Sequence, residues 1–240
     1  MEIDENEAPQ FGANSGALSA EPRGEIEIGE LSRLARQLYI EGPFLMRKMM
    51  HWRIGICPFE RVIRHVPPGA SVLDVGCGAG LFLALLAGAE IDGVGFDSSR
   101  PAIDTAVRMA ERVKLAGLPA KLRFIRLDVS EPWPEGLFDV VSLVDVMHHI
   151  PPAHQKSVFE QAVGKVKAGG MLLYKDMANQ PAFPAGMNRL HDLVLARQWI
   201  HYVPIRRLNE WAEEIGLTEV HAETMSRLFY RHELLVYRKR

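Results

Sequence analysis

From residue 69 onwards, short apolar runs alternate with segments whose apolar residues recur every three or four positions. The apolar runs predict strands and the periodic segments predict helices. The predicted strands cover residues 71–75, 91–96, 123–127, 139–144, 170–175, 217–223 and 229–238. The predicted helices cover residues 81–87, 101–116, 153–166, 188–200 and 205–215. Because strands joined by helices pair in parallel, the pattern predicts an α/β doubly wound sheet, and the short turn between the last two strands predicts that they pair antiparallel.

The first 68 residues follow a different pattern. Residues 1–29 combine acidic side chains with Gly, Ala, Ser and Pro and show no periodicity, which predicts a disordered acidic arm. From Leu31 to His65 apolar residues recur at helical spacing, and Pro43 and Pro58 divide this stretch into two or three short helices. We therefore predict three units, namely the arm at 1–29, an N-terminal helical cap at 30–68 and one α/β domain at 69–240.

Charge, cysteine content and apolar runs limit the partners and the compartment that we expect for the protein. The 240 residues carry a formal net charge of −2, but most of the excess acid lies in the first 30 residues, so the remainder is mildly basic. That charge suits an anionic partner and is too weak to indicate nucleic acid. The two cysteines, Cys57 and Cys77, predict no disulfide framework, which fits the reducing cytoplasm. The longest strongly apolar run has nine residues, so no membrane span is expected.

A glycine-rich turn follows the first predicted strand and opens a helix. It reads Gly76-Cys77-Gly78-Ala79-Gly80, and glycines there let a ligand approach bare backbone N–H groups. A dinucleotide fingerprint, GxGxxG, would need glycine where Leu81 stands. Asp74, two positions before the turn, would repel a pyrophosphate and attract an ammonium group. The residues therefore favour a ligand with an amino-acid end over a dinucleotide.

Two more acids end the next two predicted strands. Asp97 follows Gly76 by 21 residues, where a doubly wound sheet places the acid that binds a ribose diol. The alternative for Asp97 is an N-cap of the following helix, a role that Ser98 or the next serine could also fill. Asp128 can accept a hydrogen bond from the exocyclic amine of adenine with Val129 beside the ring, and a surface cap is an equal alternative.

Five segments, in order, resemble the successive motifs of the class I S-adenosylmethionine-dependent methyltransferases. They are VLDVGCGAG, GVGFD, FIRLDV, FDVVSLVDVMHHI and AGGMLLYKD, and the resemblance covers about residues 70–177. It implies a seven-stranded sheet in the order 3-2-1-4-5-7-6 with the last strand antiparallel. It also implies S-adenosyl-L-methionine as cofactor and S-adenosyl-L-homocysteine as product.

The resemblance further implies a place for each matching residue. It places Asp74, Gly76, Cys77, Gly78 and Gly80 around the methionine end of the cofactor. It places Asp97, with Ser98 beside it, at the ribose, and Asp128 with Val129 at the adenine. Asp145 follows the fourth strand on the side of the methyl group. The resemblance therefore implies ten cofactor-binding residues, namely Asp74, Gly76, Cys77, Gly78, Gly80, Asp97, Ser98, Asp128, Val129 and Asp145.

The residues after the fourth strand limit the accepting group. DNA and protein amide methyltransferases carry an N/D/S-P-P-aromatic tetrapeptide there, whereas this chain reads Asp145-Val146-Met147-His148. A C5-cytosine enzyme needs a cysteine after this strand, and both cysteines lie upstream. Asp145, Asp176 and Asn179 are loosely similar to a metal-dependent catechol site, but the last two are not adjacent, so we expect no metal.

Two histidines are the candidate bases. His148 and His149 follow the fourth strand at the predicted mouth of the site, and imidazole can deprotonate a hydroxyl at physiological pH. The sequence slightly favours His148, with Asp145 as a further catalytic candidate. The alternative is that one histidine packs under the following helix while the other faces solvent.

Two helical segments could close the site. Arg189 and Arg197 in the helix predicted at 188–200 could hold an anionic substrate, and a solvated amphipathic helix is the alternative. The N-terminal cap offers apolar side chains to line the cleft or fill the core, namely Tyr39, Met46, Met49, Met50 and Trp52.

We therefore expect a cytoplasmic methyltransferase that acts on a small-molecule or lipid-like acceptor, with oxygen as the favoured accepting atom and no nucleic-acid partner. Nitrogen or carbon transfer stays open, and so does the oligomeric state. The two alternatives are a non-catalytic S-adenosylmethionine-binding partner subunit and a nicotinamide-dependent dehydrogenase, and Leu81 and Asp74 disfavour the dehydrogenase. Fold alone does not decide between them.

Overall fold

One mixed sheet of seven strands organises the chain. The computed structural model describes residue 24 and residues 26–178, 201–228 and 230–240. Its strands are β1 (Ser71–Val75), β2 (Asp92–Asp97), β3 (Lys121–Arg126), β4 (Phe138–Val144), β5 (Val166–Met177), β6 (Leu217–Arg227) and β7 (Tyr230–Lys239). They lie in the order β3-β2-β1-β4-β5-β7-β6. The strand order implied by the family motifs is confirmed.

Strand directions follow from the connections. The first five strands pair in parallel because each is joined to the next through a crossover, most of them helical. Strand β7 runs antiparallel to both β5 and β6, as the short connection between β6 and β7 requires. The carboxyl ends of β1 to β4 therefore meet at one edge of the sheet, where ligands bind in open α/β folds.

Seven α-helices accompany the sheet in the described residues. They are α1 (Ile28–Leu38), α2 (Phe44–Ile56), α3 (Phe59–Ile63), α4 (Leu81–Leu85), α5 (Arg100–Leu115), α6 (Pro152–Gly164) and α7 (Ile205–Glu214). Pro43 and Pro58 are the N-caps of α2 and α3, so the prolines divide the N-terminal stretch as predicted. None of the helices in the described ranges is long and apolar enough to cross a membrane.

Several predicted boundaries differ from the structure by a few residues, and two predicted segments lie outside the described residues. Helix α1 begins at Ile28, so the arm predicted to reach residue 29 extends two residues too far. The helix predicted over 153–166 ends at Gly164, because Val166 already pairs with Phe138 in the sheet. The helix predicted over 188–200, like the arm up to residue 23, lies outside the described residues.

Alternate residues of the strands enter two separate hydrophobic clusters, one on each face of the sheet. Val72 and Val140 pack with the N-terminal helices, α4 and α5. Leu73 and Val141 pack with α6 and α7. Since neighbouring strand residues point to opposite faces, β1, β4, β5 and β7 each contribute side chains to both clusters. The doubly wound architecture predicted from the apolar runs is confirmed.

Candidate active site

A cavity of about 760 Å³ opens at the carboxyl ends of the strands. Its size is that of a small-molecule or cofactor site. Its walls come from the turns after β1, β2, β3 and β4 and from the start of α6. Six of the ten predicted cofactor residues line it, namely Gly76, Asp97, Ser98, Asp128, Val129 and Asp145. The four others, Asp74, Cys77, Gly78 and Gly80, are absent from its lining.

The glycine turn owes its shape to left-handed backbone. Gly76 has φ +66°, and a Cβ there would overlap the side chain of Val146, the residue after Asp145. Gly78 has φ +54°, and no atom lies within 4 Å of the place a Cβ would take. The N–H of Gly78 donates to Asp97 Oδ2 at 2.9 Å. The turn thus leaves bare backbone beside the cavity and ties it to the acid that ends β2.

The other two predicted turn residues serve packing. A Cβ at Gly80 would lie 2.7 Å from Phe124 Cζ and 3.0 Å from Met109 Cε, so glycine lets α4 approach β3 and α5. The N–H of Cys77 donates to the carbonyl of Phe96, and burial raises the pKa of its thiol well above the ordinary value. Gly80 and Cys77 therefore contact neighbouring strands and helices, and neither residue lines the cavity.

Asp97 is held in one orientation at the cavity wall. Its Oδ1 accepts the N–H of Ser99 at 2.8 Å and its Oδ2 accepts the N–H of Gly78. Each oxygen keeps a free lone pair in this arrangement, since a carboxylate can accept about four hydrogen bonds. The N-cap residue of helix α5 is Ser99. Asp97 therefore does not occupy the N-cap position that was the alternative for it.

The loop after β3 forms the next part of the wall. Asp128 is exposed and accepts from the Ser130 hydroxyl at 2.7 Å and from the Ser130 N–H at 3.0 Å, which lowers the pKa of its carboxyl. The Nε1–H of Trp133 donates to the carbonyl of Val129, and its ring packs against Phe96 with 5.1 Å between centroids. Trp133 therefore fixes the loop, a role that nothing in the local sequence pattern indicates.

Asp74 lies buried behind the glycine turn. It is 2% exposed, and the Ser142 hydroxyl donates to its Oδ1 at 2.7 Å. Burial raises the pKa of its carboxyl to about 7, against the opposing effects of the Ser142 hydrogen bond and the charge of Arg53. The hydroxyl of Tyr39, from the end of α1, donates to the carbonyl of Ala79 in the turn. The acid predicted to attract an ammonium group is thus held in a low-polarity setting.

Asp145 is the centre of an ion-pair network at the other end of the cavity. Its Oδ2 accepts from Arg53 at 2.8 Å and its Oδ1 accepts from Lys175 Nζ at 2.6 Å. Its backbone has φ +55°, a conformation that few residues other than glycine and asparagine adopt. Arg53 comes from α2 and Lys175 from β5, so one carboxylate joins the N-terminal helices to the sheet.

Burial and charge oppose each other in this network. Burial raises the pKa of most carboxyls, yet the pKa of Asp145 is lowered because Lys175 and Arg53 stabilise its charged form. Burial alone would lower the pKa of Lys175, whose side chain is 0% exposed, but Asp145 and the neighbouring Cys57 raise it. Burial raises the pKa of the Cys57 thiol to about 12, so this cysteine stays neutral. The positive groups are therefore held as ions by a single carboxylate.

The two histidines after β4 have different surroundings. His148 is 1% exposed, its Nδ1 is hydrogen-bonded to Asp176, and its N–H donates to Asp176 Oδ2 at 3.2 Å. His149 is exposed and lines the cavity, with its ring centroid 4.0 Å from that of His148. The slight sequence preference for His148 as the residue facing the ligand does not match this placement, because the 3₁₀ turn Met147–His149 points His149 outwards.

A buried glutamine fixes this turn. Gln155 Nε2 donates to the carbonyl of Met147 at 3.1 Å and to that of His201 at 2.7 Å. The N–H of His201 in turn donates to the carbonyl of His148. The sequence did not single out Gln155, Arg53 or Lys175, and it raised Asp176 only as part of a possible metal site. Lys175 and Asp176 carried a detectable signal, since charged residues in an apolar strand need partners.

Several other predicted residues either do not line this cavity or lie outside the described residues. Of the N-terminal candidates for lining the cleft, Tyr39 and Met50 are buried in the core and Trp52 is exposed, and none belongs to the cavity wall. Arg189, Arg197 and Asn179 lie outside the described residues. Among the residues that are described, no group of three or more His, Cys, Asp and Glu side chains has the arrangement of a metal site.

Comparison with known proteins adds relatives at low identity. A ubiquinone biosynthesis O-methyltransferase from Albidiferax ferrireducens is 28% identical over 187 residues, covering 72% of this chain and 66% of the relative. A 2-methyl-6-phytyl-1,4-hydroquinone methyltransferase from Synechocystis is 29% identical over 163 residues, covering 64% of this chain and 48% of the relative. The chain thus spans from about half to just under two thirds of the lengths of these two relatives.

The fold has solved counterparts. The crystal structure of magnesium protoporphyrin IX methyltransferase from Synechocystis, with S-adenosylhomocysteine bound, superposes with a TM-score of 0.65 at 19% identity and covers 87% of this chain and 93% of that one. The sequence profile of the methyltransferase domain family matches residues 55–222, well over half of the 240 residues. The chain therefore belongs to the methyltransferase domain family, as its five sequence motifs predict, and its fold is that of the class I S-adenosylmethionine-dependent methyltransferases.

Proposed function

We propose that this protein binds S-adenosylmethionine in the cavity and transfers its methyl group to a hydroxyl oxygen of a small aromatic acceptor that carries an apolar tail. The observation that carries the choice of oxygen is the position of His149. It lines the same cavity as Asp145, on the side where the family motifs place the methyl group. A hydroxyl that enters there meets an imidazole able to take its proton.

The residues present suit the cofactor. Asp97, with both oxygens oriented by backbone N–H groups, can accept the two ribose hydroxyls on its remaining lone pairs. Val129, in the loop after β3, offers apolar surface for the adenine ring. The open space at Gly78, where a Cβ would meet no atom, admits the amino-acid end beside the turn, and Asp74 behind it offers a carboxylate for the ammonium group.

The relatives support the class of acceptor. One is named an O-methyltransferase of ubiquinone biosynthesis, and the other is named for a hydroquinone, a ring with two hydroxyls, that carries an apolar phytyl chain. The acceptor side of the cavity combines His149 and Asp145 with apolar Val146, Ile150 and Val158. A flat hydroxylated ring fits such a wall, with its hydroxyl towards the histidine and its carbon face on the aliphatic residues.

His149 is in the protonation state that the reaction needs. Partial loss of hydration, together with the adjacent His148, lowers the pKa of His149 below its ordinary value, so its imidazole is neutral at pH 7. Neutral imidazole accepts the hydroxyl proton as the oxygen attacks, and the proton leaves the substrate with no charge left on the ring oxygen. The sulfonium group of the bound cofactor supplies the methyl as an activated electrophile, so a C–O bond forms as a C–S bond breaks.

His148 and Asp176 position this base. Asp176 bonds the Nδ1 of His148, and its second oxygen accepts the backbone N–H of the same residue, so the ring behind His149 is held in one orientation. Gln155 fixes the carbonyl of Met147 in the same turn. Because these groups are buried, the backbone of the turn that carries His149 is held in place beside the cavity.

A labelled-methyl assay tests the proposal. Protein would be incubated with methyl-labelled S-adenosylmethionine and a panel of catechols and hydroquinones with and without alkyl tails, and NMR of the product would distinguish an O-methyl from a C-methyl group. We expect an O-methyl product. His149→Gln should lower kcat by at least about a hundredfold while S-adenosylhomocysteine binds as before.

The matched control for that variant is His221→Gln. His221 lies on β6 with its ring 4.6 Å from that of His65, away from the cavity, and its replacement should leave kcat unchanged. A C-methyl product, or equal losses in the two variants, would contradict oxygen transfer with His149 as the base. Cofactor binding without turnover on any acceptor would instead favour the non-catalytic partner subunit.

A further inference from the structure

We propose that the outer face of helix α2 binds the surface of an anionic lipid bilayer. This inference goes beyond the proposed reaction and does not depend on it, because it concerns a surface that contributes nothing to the cavity wall. We define the outer face of α2 as the exposed residues Phe44, Leu45, Lys48, Met49 and Trp52.

The outer face of α2 is apolar where a surface helix is normally polar. Leu45 is 78% exposed, Phe44 63% and Trp52 52%, and Met49 is also exposed. Leu45, Met49 and Trp52 follow each other at spacings of four and three residues, so they form one continuous stripe. The same helix buries Met50 in the core, and it is therefore apolar on two sides.

Helix α1 provides a comparison, because its exposed side is polar. It buries Leu31, Ala35 and Leu38, and its exposed positions include Glu30 and Arg33, as well as the basic and amide side chains of its last turn. That is the ordinary division of a helix between core and water. Large apolar side chains gathered on one exposed face mark a binding surface rather than a solvated one.

The charges on α2 favour an anionic partner. The helix contains Arg47, Lys48, His51 and Arg53 and no acidic residue. Lys48 lies within the outer face, with its Nζ 4.9 Å from the ring centroid of Phe44. Arg53 already pairs with Asp145 and Arg47 donates to the carbonyl of Ile40, so Lys48 is the cation that the outer face offers to a lipid phosphate. Interfacial helices enter the headgroup region of anionic bilayers with an apolar stripe and basic residues beside it, the apolar side chains inserting and the cations pairing with phosphates.

The same helix is connected to the cavity. Arg53, one position after Trp52, donates to Asp145, which lines the cavity wall. A helix seated on a bilayer would thereby hold the catalytic end of the site close to the phase in which an acceptor with an apolar tail dissolves. Bilayer binding thus offers such an acceptor a short route to the site.

Co-sedimentation of the full-length protein with lipid vesicles tests the inference. The vesicles would be phosphatidylcholine alone or an equal mixture of phosphatidylcholine and phosphatidylglycerol. We expect the protein to sediment with the mixed vesicles and only weakly with the neutral ones, and to be released as NaCl is raised from about 0.05 to about 0.5 M. The double variant Leu45→Ser/Trp52→Ser should bind at least about tenfold more weakly, since two large apolar side chains no longer leave water.

The chain offers a matched control for that variant. Leu115 and Leu137 are 75% and 51% exposed, close to Leu45 and Trp52, but they lie at the end of α5 and before β4. Leu115→Ser/Leu137→Ser should bind the mixed vesicles like the original chain. Circular dichroism and thermal melting would show whether each variant remains folded, independently of any ligand.

Three results would overturn the inference. One is failure of the original chain to bind the mixed vesicles, and another is equal loss in the two double variants. The third is a dimer in sedimentation without lipid that Leu45→Ser/Trp52→Ser dissociates, since the outer face of α2 would then pair with a second copy. Vesicle binding needs no cofactor, so a failure of the proposed methyl transfer would leave this test unaffected.

Discussion

The two ends of the cavity are built in different ways. At the end where we propose that ribose and adenine bind (the ribose end), Asp97 and Asp128 hydrogen-bond to residues two positions along the chain, and Asp97 also bonds the glycine turn 19 residues away. At the end proposed to face the methyl group (the methyl end), Asp145 pairs with Arg53, 92 residues away, and with Lys175, 30 residues away. The first end is formed by loops that follow their own strands, whereas the second exists only once α2, β4 and β5 have come together.

The two ends of the cavity also differ in the interactions that stabilise them. Asp128 is exposed, so water screens its charge and its hydrogen bonds contribute little to stability. Lys175 is fully buried, so its charge depends on Asp145. A local, hydrated site tolerates the loss of one acid. In the buried network, removal of the shared carboxylate leaves positive charges without a counter-ion, which lowers the stability of the folded state. The methyl end should therefore control folding and the ribose end should control affinity.

The largest expected effect breaks the buried network. Asp145→Ala leaves Arg53 and Lys175 without their shared carboxylate and should lower the free energy of unfolding by about 3–5 kcal/mol, measured by urea denaturation. Asp128→Ala is the comparison at the other end, and it should cost no more than about 1 kcal/mol. Equal losses for the two variants would show that the two ends do not differ in this way.

A smaller effect concerns Asp74 and pH. Burial raises the pKa of Asp74 to about 7, and in the proposed binding mode the ionised form, not the neutral acid, would attract the ammonium group of the cofactor. Affinity for S-adenosylhomocysteine should therefore rise with pH through about 7 and level off above it, which gives a change of about tenfold between pH 6 and pH 8. Calorimetric titrations at several pH values measure this change.

Asp74→Asn sharpens that prediction. The amide cannot ionise, so this variant should bind more weakly at pH 8 and lose the step near pH 7. A step that persists in Asp74→Asn would assign the titration to another group. A flat profile in the original chain would mean that Asp74 is ionised throughout or does not contact the ammonium group.

The sequence predicts the first end of the cavity better than the second for a physical reason. Asp97 and Asp128 follow apolar strands, and the parallel order of those strands brings their ends together, so pattern alone locates them. Arg53 lies in a helix whose apolar residues could face either the core or water, and nothing near it in sequence marks its partner. Long-range ion pairs of this kind depend on packing that no local period describes.

The histidine pair shows the same limit at the scale of one turn. The sequence places His148 and His149 at the mouth of the site but cannot tell which one faces the ligand. That choice is made by Asp176, which bonds the Nδ1 of His148, and by Gln155, which bonds the carbonyl of Met147. Lys175 was the detectable exception, because a lysine within an otherwise apolar strand requires a buried acid.

The most direct test of the account is a calorimetric titration of the protein with S-adenosylhomocysteine, beside Asp97→Ala and the control Asp104→Ala. Asp104 is an exposed acid on α5 that lies outside the cavity wall. We predict one binding site whose affinity falls about tenfold or more in Asp97→Ala, since each lost hydrogen bond to a charged acceptor costs about 1.5–3 kcal/mol, and stays unchanged in Asp104→Ala. No binding by the original chain, or binding that Asp97→Ala leaves intact, would contradict the claim that this cavity holds the cofactor.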